Sequence, residues 1–307
     1  QQTRDTPIEA ERGTIYDRNG NELAVSVTCY TIWVRPTDVK KTEEKDASKR
    51  EAEAQKKIEK VSKTLSESLD MDYDEVKKMV TKEQSIIKIK KGVSKTVADK
   101  IRKEKLPGVE IAEDTKREYP LGAFASQTLG TVTDDNAGRS GLELQYNTYL
   151  SGVSGRWINY TDTSGNRLSY GKEKYYKAED GYSLVTTIDQ VIQHYTEKAL
   201  DQVMESTGAD RVMAIVMDPK TGDILAMAQT PDFDLNNPKV PDSSTEKAKL
   251  EKMSESEKVT YWNKMWRNSL ISDVYEPGST FKLLTTAIAL EEDVATPKST
   301  YNCTGSI

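Results

Sequence analysis

Residues 275–290 read YEPGSTFKLLTTAIAL, a turn followed by an apolar run. Pro277 and Gly278 mark the turn, and the Leu- and Ala-rich residues behind it predict a buried helix. Ser279 is therefore expected at the N-terminus of this helix, with Lys282 one turn further along on the same face. A hydroxyl and an amine held together in a desolvated pocket are what a serine acyl-transferase without histidine requires.

The Ser-x-x-Lys pattern is weak evidence when taken alone. It also occurs at Ser85/Lys88, Ser169/Lys172 and Ser244/Lys247. The choice among these copies depends on the rest of the chain.

The composition limits which classes of protein this chain can belong to. The chain has 307 residues, enough for two domains with sizeable cores. A net charge of -6 argues against a nucleic-acid partner, which favours a basic surface. No apolar run is long enough to span a membrane. The chain opens on Gln1 without a signal peptide, which is compatible with a removed N-terminal anchor.

Cysteine and histidine usage excludes several kinds of site. Cys29 and Cys303 are too few for a disulfide framework or a zinc site. Cys29 is expected to be a small buried residue, and nothing near Cys303 marks an activated thiol. His194 falls off the apolar stripe of its predicted helix and is expected to face solvent. A Ser-His-Asp triad and a histidine-based metal site are therefore not predicted.

The N-terminal part of the chain predicts a charge-rich α+β module. Asn19-Gly20 lies between β-type runs at 14–16 and 23–34, which predicts a hairpin. Apolar spacing predicts amphipathic helices within residues 42–69, from about Asp74 and after the candidate N-cap Ser94, and strands at 86–89 and 109–111. Such a module is typical of a spacer or docking domain.

The later part predicts a second α+β region. One helical face is expected to carry Leu142, Tyr146 and Leu150, and residues 155–177 are expected to form a hairpin-bearing connection. After a strand at 184–188, Asp189 is a candidate cap for a helix whose expected apolar face is Val191, Ile192, Tyr195, Ala199 and Val203. Strands at 212–217 and 224–228 flank a turn at 218–223. The predicted fold class is α+β, an antiparallel sheet with helices packed on it.

Five sequence blocks occur together in one order. Three are N-terminal: Arg12-Gly13 through Asp17-Arg18-Asn19-Gly20, Arg117-x-Tyr-Pro-x-Gly with Ala125, and Gly138 through Gly141-Leu-Glu143. The other two are DPKTGDILAM at 218–227 and YEPGSTFK at 275–282. On these motifs the chain resembles the class B penicillin-binding proteins, the transpeptidases of bacterial division, elongation or sporulation. The 36–105 region resembles the pedestals of low-GC Gram-positive enzymes.

The resemblance implies two domains. Residues 1–180 would form a non-catalytic, dimerisation-like pedestal, and residues 181–307 the first part of a transpeptidase domain with the serine β-lactamase-like fold. It also implies a polar cluster of Arg12, Arg117 and Glu143 at the junction.

Two family motifs that follow the nucleophile have no match in this chain. They are Ser-x-Asn and Lys-Thr-Gly, and the only Lys-Thr-Gly triplet, at 220–222, precedes Ser279 and is expected in a hairpin turn. We therefore expect a fragment, or one portion of a longer protein, that is inactive alone.

The resemblance further implies a peptidoglycan D,D-transpeptidase, with Ser279 as nucleophile and Lys282 as general base. The implied substrates are D-Ala-D-Ala stem peptides, and β-lactams would acylate the same serine. The implied location is the extracytoplasmic face of the bacterial cell membrane, held by an N-terminal transmembrane helix absent from this chain. Membrane proteins of the division or spore-cortex machinery are the implied partners, without nucleic acid or cofactor.

Two other functions stay open on the sequence. A β-lactam sensor or hydrolase would share the Ser-x-x-Lys site, and rapid deacylation would identify it. A non-catalytic scaffold for cell-wall assembly would use the pedestal to dock membrane proteins, and the absence of a covalent adduct would identify it.

Overall fold

The computed structural model describes residues 2–42, 44, 46–161, 174–241, 243–302 and 304–305. It contains two compact units, residues 1–268 and 269–307. Cys303 lies outside the described residues, as does most of the predicted connection at 155–177.

The first unit contains all the strands of the described chain. They are β1 (Gln2–Ile8), β2 (Ile15–Tyr16), β3 (Glu22–Val34), β4 (Ile87–Val93), β5 (Val109–Glu118), β6 (Gly155–Thr161), β7 (Lys174–Tyr176), β8 (Leu184–Val185), β9 (Val212–Met217) and β10 (Ile224–Thr230). Its helices are α1 (Pro36–Lys40), α2 (Ala47–Leu69), α3 (Tyr73–Thr81), α4 (Lys95–Lys103), α5 (Ser126–Leu129), α6 (Gly141–Gln145), α7 (Asn147–Leu150), α8 (Gln190–Thr207), α9 (Ser244–Glu251) and α10 (Glu255–Trp266).

The long strand β3 organises the pedestal sheet. It pairs with β2, β4 and β5, all antiparallel. The hairpin predicted from Asn19-Gly20 is confirmed, because β2 pairs with β3 and Gly20 adopts a positive φ of 87°. Strand β8 joins β2 in parallel. A separate three-stranded sheet has the order β1-β6-β7.

Helices α2, α3 and α4 cover one face of the pedestal sheet. The predicted apolar spacing is confirmed in α2, where Ile58, Val61, Leu65 and Leu69 are buried. Ser94 caps α4 by accepting a hydrogen bond from the Val97 amide. These helices and the sheet share one apolar core.

A second core joins residues from both sides of the predicted boundary at 180 and 181. Leu23, Phe124 and Leu150 pack there with Phe233 and Trp266. The boundary between residues 180 and 181 stays a prediction. The predicted antiparallel hairpin of β9 and β10 is confirmed, and its turn at 218–223 contains Lys220-Thr221-Gly222.

Two predictions about helices in this unit are wrong. The helix expected around Tyr146 is broken there into α6 and α7, because Tyr146 leaves the helical conformation and is exposed. In α8 the expected apolar face is outward: Val191, Tyr195 and Val203 are exposed, and Gln193 and Leu200 are buried instead. The reason is that α8 packs on β10 through the Gln193 amide, which bonds the Met227 backbone.

The second unit contains α11 (Ser269–Ser272), a 3-10 turn (Gly278–Thr280) and α12 (Phe281–Glu291). The helix predicted after Pro277-Gly278 is confirmed, but its predicted burial is wrong. Leu283, Leu284 and Ile288 are 75%, 57% and 60% exposed. An apolar run predicts a covered helix, yet the described residues of this unit do not supply that cover.

No helix in the described part of the chain has both the length and the apolar character of a membrane span.

Candidate functional site

Ser279 lies in the 3-10 turn that leads directly into α12. Pro277 and Gly278 make this turn: Gly278 adopts a positive φ of 53°, and the Pro277 carbonyl accepts both the amide and the hydroxyl of Thr280. The main chain thereby places Ser279 at the positive end of the α12 dipole.

Lys282 follows in the first turn of α12. Its side chain and that of Ser279 are both exposed, and no hydrogen bond joins them among the described residues. The structure brings the two residues to the same helix end. The desolvated pocket predicted around them is not formed by the residues of this unit.

The predicted junction residues Arg12, Arg117 and Glu143 come together as a buried cluster in the first unit. The Arg12 Nε donates to Glu143 Oε2 at 2.6 Å, and the Arg117 Nε donates to Glu143 Oε1 at 2.7 Å. Glu143 is fully buried, and both arginine side chains are at most 2% exposed. One carboxylate thus accepts charge-assisted bonds from two guanidinium groups.

The remaining donors of this cluster reach several chain segments. Arg12 Nη1 donates to the Asn136 carbonyl, Asn147 Oδ1 and Ser151 Oγ, and Arg12 Nη2 donates to the Glu143 carbonyl. Arg117 Nη2 is buried without a hydrogen-bond partner among the described residues. The cluster carries a net positive charge inside the fold, so its stability depends strongly on Glu143.

Tyr119 closes the cluster on one side. Its hydroxyl donates to Glu143 Oε1 at 3.3 Å. Burial raises the pKa of Tyr119 far above its usual value, and the nearby Glu143 charge raises it further. Tyr119 therefore remains a neutral donor.

Glycines in the sequence blocks allow the chain segments to approach each other. A Cβ added at Gly13 would lie 2.0 Å from the Tyr182 carbonyl oxygen, and one at Gly138 would lie 2.0 Å from the Glu143 carbonyl oxygen. Only glycine fits at either position, next to Arg12 and facing Glu143.

The second block is hydrogen-bonded to the start of the predicted transpeptidase region. Asn236 pairs with both backbone groups of Tyr119, at 3.0 and 2.9 Å. The Gly122 carbonyl accepts the Leu235 amide, and Thr128 Oγ1 donates to the Met227 carbonyl. Residues from both predicted domains therefore form one compact unit.

Glu197 of α8 is part of the same contact, and the sequence did not predict it. Its Oε1 accepts the Ala125 amide at 2.7 Å and the Gln193 Nε2 at 2.8 Å. Burial raises the pKa of Glu197, although these two hydrogen bonds oppose the shift. Its spacing from Gln193 puts both residues on one helix face, but polar residues at that spacing are ordinary on solvated helices.

Three further residues lie as the sequence predicts. His194 is exposed and Cys29 is buried, as predicted. Asp189 caps α8 by accepting the Val191 and Ile192 amides. No group of three or more metal-binding side chains is found among the described residues.

Two known protein families together match nearly the whole chain. The description "Penicillin-binding Protein dimerisation domain" matches residues 7–186, and "Penicillin binding protein transpeptidase domain" matches residues 212–307. The second match contains Ser279 and Lys282.

Curated relatives extend the comparison. The chain is 36% identical over 94% of its length to "Stage V sporulation protein D" of Bacillus subtilis, covering 40% of that protein. It is 28% identical over 96% of its length to "Peptidoglycan D,D-transpeptidase FtsI" of Escherichia coli K12, covering 45% of it. The chain thus spans less than half the length of these relatives.

Solved structures share the fold. A peptidoglycan synthetase from Bifidobacterium adolescentis aligns over 100% of this chain and 55% of its own, with a TM-score of 0.63 and 24% identity. Penicillin Binding Protein 2X from Streptococcus thermophilus aligns over 97% of this chain and 43% of its own, with a TM-score of 0.61 and 29% identity.

Proposed function

The chain belongs to the class B penicillin-binding proteins, and from that premise we propose that it is part of a peptidoglycan D,D-transpeptidase acting through an acyl-enzyme on Ser279. The observation that carries this proposal is the position of Ser279 and Lys282 at the start of α12, inside the region matched by the transpeptidase domain. The relatives whose printed names include this activity support the reaction type.

In the proposed reaction, Ser279 Oγ attacks the carbonyl carbon between the two terminal D-alanines of a stem peptide. The new ester bond forms as the peptide C–N bond breaks, and D-alanine leaves with the proton taken from the hydroxyl. An amine of a neighbouring stem peptide then attacks the ester and forms the cross-link as the ester C–O bond breaks, and one proton of that amine restores the Ser279 hydroxyl.

Lys282 is proposed to transfer a proton within each step, from the Ser279 hydroxyl to the leaving amine and then from the attacking amine to Ser279 Oγ. It must be neutral to accept the serine proton, so the assembled site has to bury its amine or place a cation beside it. The Ser279 amide at the helix N-terminus would supply one oxyanion donor.

We propose that this chain alone is inactive. Ser279 and Lys282 are exposed, and the Ser279 amide supplies only one of the donors that an oxyanion hole needs. Losing one such donor costs about 10²–10³ in rate in a characterised protease. β-Lactams are proposed as covalent ligands of the complete site.

The proposal is tested by intact mass spectrometry with a penicillin. A longer protein that contains this chain and the transpeptidase domain in full is expected to gain one acyl adduct, and its Ser279→Ala variant none. Ser85→Ala is the matched control, because Ser85 begins another Ser-x-x-Lys pattern. An adduct that persists in Ser279→Ala would contradict the assignment, and rapid loss of the adduct would indicate a hydrolase.

For the pedestal we propose a structural role, in which Arg12, Arg117 and Glu143 hold the junction at the predicted boundary between 1–180 and 181–307. The proposed location is the extracytoplasmic face of the bacterial cell membrane, with an N-terminal transmembrane anchor. Membrane proteins of the division or spore-cortex machinery are the proposed partners. Protease protection of tagged protein in intact cells and in spheroplasts tests the location.

A further inference from the structure

Strand β5 forms a regular edge of the pedestal sheet. Ten consecutive residue pairs join it to β3 without a register shift, whereas the pairing of β4 with β3 is shifted twice. Proteins commonly protect sheet edges with bulges, prolines, short strands or charged side chains. The edge formed by β5 has no bulge or proline over residues 109–118, although it carries charged residues such as Glu110 and Glu113.

The direction of the free backbone groups follows from the pairing. The Arg35 amide donates to the Gly108 carbonyl at the end of this pairing, and hydrogen-bonded pairs alternate along an antiparallel ladder, so the odd-numbered residues of β3 bond to β5. Their hydrogen-bonded partners on β5 are even-numbered, because Ala112 is opposite Thr31. Val109, Ile111 and Glu113 therefore turn their backbone groups away from the sheet.

The open part of this edge has defined limits. At Thr115 the edge is closed, because Asp114 Oδ1 accepts its amide and Asn136 Nδ2 donates to its carbonyl. At the other end the Val109 amide donates a hydrogen bond to the Leu106 carbonyl. Among the described residues, none bonds to the Val109 carbonyl or to either backbone group of Ile111 and Glu113. These groups are an unused template for one more strand.

A small pocket lies beside this open edge. It has a volume of about 160 Å³ and is lined by Ile101, Arg102, Lys105, Leu106, Val109 and Ile111. The volume suits a single branched aliphatic side chain. Lys105 has no ion pair among the described residues, whereas Arg102 at the rim is paired with Asp99.

We propose that the β5 edge binds an extended segment of a partner protein, which adds a strand next to Val109–Glu113. The segment carries an aliphatic residue for the pocket and an acidic residue for Lys105. Main-chain bonds supply the attachment, while the pocket and its positive rim select the sequence. This interaction is independent of the proposed acyl-enzyme chemistry.

The test measures binding of a fluorescent peptide, Asp-Thr-Val-Thr-Ile-Thr-Asp, to the 307-residue chain. A peptide residue opposite Ile111 has its side chain on the pocket face and its amide toward β5. N-methylation of the Val and Ile amides is therefore expected to weaken binding about ten-fold or more, whereas N-methylation of the second and third Thr amides leaves it unchanged.

Protein variants give a second readout. Glu113→Pro removes an outward amide without breaking the bonds to β3, so we expect about a ten-fold loss of peptide binding with an unchanged melting temperature. Lys105→Glu is expected to weaken binding about five-fold and to favour a peptide with Lys in place of both Asp residues. Lys116→Glu, on the opposite sheet face, is the matched control and is expected to bind normally.

Three outcomes would overturn the proposal. One is no binding of the parent peptide, and another is equal binding of both N-methylated peptides. The third is a wild-type dimer in solution that Glu113→Pro makes monomeric, which would make a second copy of the chain the occupant of the edge.

Discussion

The Arg12–Glu143–Arg117 cluster and the Ser279–Lys282 pair lie at opposite extremes of burial. The cluster is enclosed by the first unit and bonded by charged groups at 2.6 and 2.7 Å. The pair is exposed at the start of α12 in the second unit. Both sets of residues belong to short sequence blocks. The cluster is complete within the described chain, whereas the pair lacks the burial that its proposed chemistry needs.

This difference shows where the energy of the described fold is concentrated. Charges held in a low-dielectric interior interact strongly and are costly to leave unpaired, whereas exposed groups are hydrated and screened. Substitutions in the cluster should therefore affect folding, and substitutions near Ser279 should affect only chemistry.

The largest expected effect is that of Glu143→Gln. Removing the carboxylate charge leaves two buried guanidinium groups without a counter-ion, so we expect the free energy of unfolding to fall by about 3–5 kcal/mol. Urea unfolding followed by tryptophan fluorescence measures it. Glu110→Gln, which breaks an exposed pair with Arg35, is the control and should cost about 1 kcal/mol or less. Equal losses in the two variants would contradict the proposed importance of burial.

The same comparison extends to apolar residues. Leu65 is fully buried and Leu283 is 75% exposed, so Leu65→Ala should cost about 2–5 kcal/mol and Leu283→Ala about 0.5 kcal/mol or less. Urea unfolding of the same 307-residue chain measures both. A large loss in Leu283→Ala would mean that α12 is covered in solution.

Glu197 and Asp17 should show opposite dependences of stability on pH. Burial raises the pKa of Glu197, so its contribution to stability is greatest in acid and falls as pH rises through the range between its unfolded and folded pKa values. For Asp17, burial acts to raise the pKa, but hydrogen bonds from Asn21, Asn19 and Gln190 outweigh it and lower the pKa. The contribution of Asp17 is therefore lost as pH falls through its folded pKa.

Thermal unfolding from acid to neutral pH tests this contrast with Glu197→Gln and Asp17→Asn. Relative to wild type, Glu197→Gln should gain stability as pH rises above the ordinary carboxyl range. The loss of stability caused by Asp17→Asn, measured against wild type, should be smallest at the lowest pH. Parallel curves for both variants would exclude the assigned pKa directions.

The smallest expected effect concerns helix caps. Asp189 accepts two amides at the start of α8, so Asp189→Ala should cost about 1 kcal/mol. Ser243 is the N-cap residue of α9, but its side chain accepts no hydrogen bond from the first amides of that helix. Ser243→Ala is therefore the matched control and should change the stability little. Helix α12 likewise has no side-chain cap. Thermal unfolding of both variants measures the difference, and similar shifts would show that the cap bond contributes nothing.

Local signals in the sequence predicted the elements well. Asn19-Gly20 located the hairpin, Ser94 and Asp189 located helix starts, and Pro277-Gly278 located α12. Each of these features depends on residues within one or two turns of each other, so a single sequence contains the necessary information.

Long-range polar contacts were not predictable in the same way. Glu197 with Ala125, and Asn236 with Tyr119, join segments far apart in the chain and produce no periodic pattern. The exposed face of α8 has a related cause, because periodicity identifies an apolar stripe without identifying what covers it. The junction cluster was anticipated through the family resemblance of its blocks.

The spacing of the junction cluster along the chain sets an order of events during synthesis. Arg12 lies 131 residues before Glu143, and Arg117 lies 26 residues before it. Both arginines are synthesised before their carboxylate, and contacts as distant in sequence as that of Arg12 form late. The α2–α4 core, which is complete by Ile111, can form first. Released chains that end between Arg117 and Glu143 would therefore keep a folded lobe and expose an unpaired cationic pair to quality-control proteases.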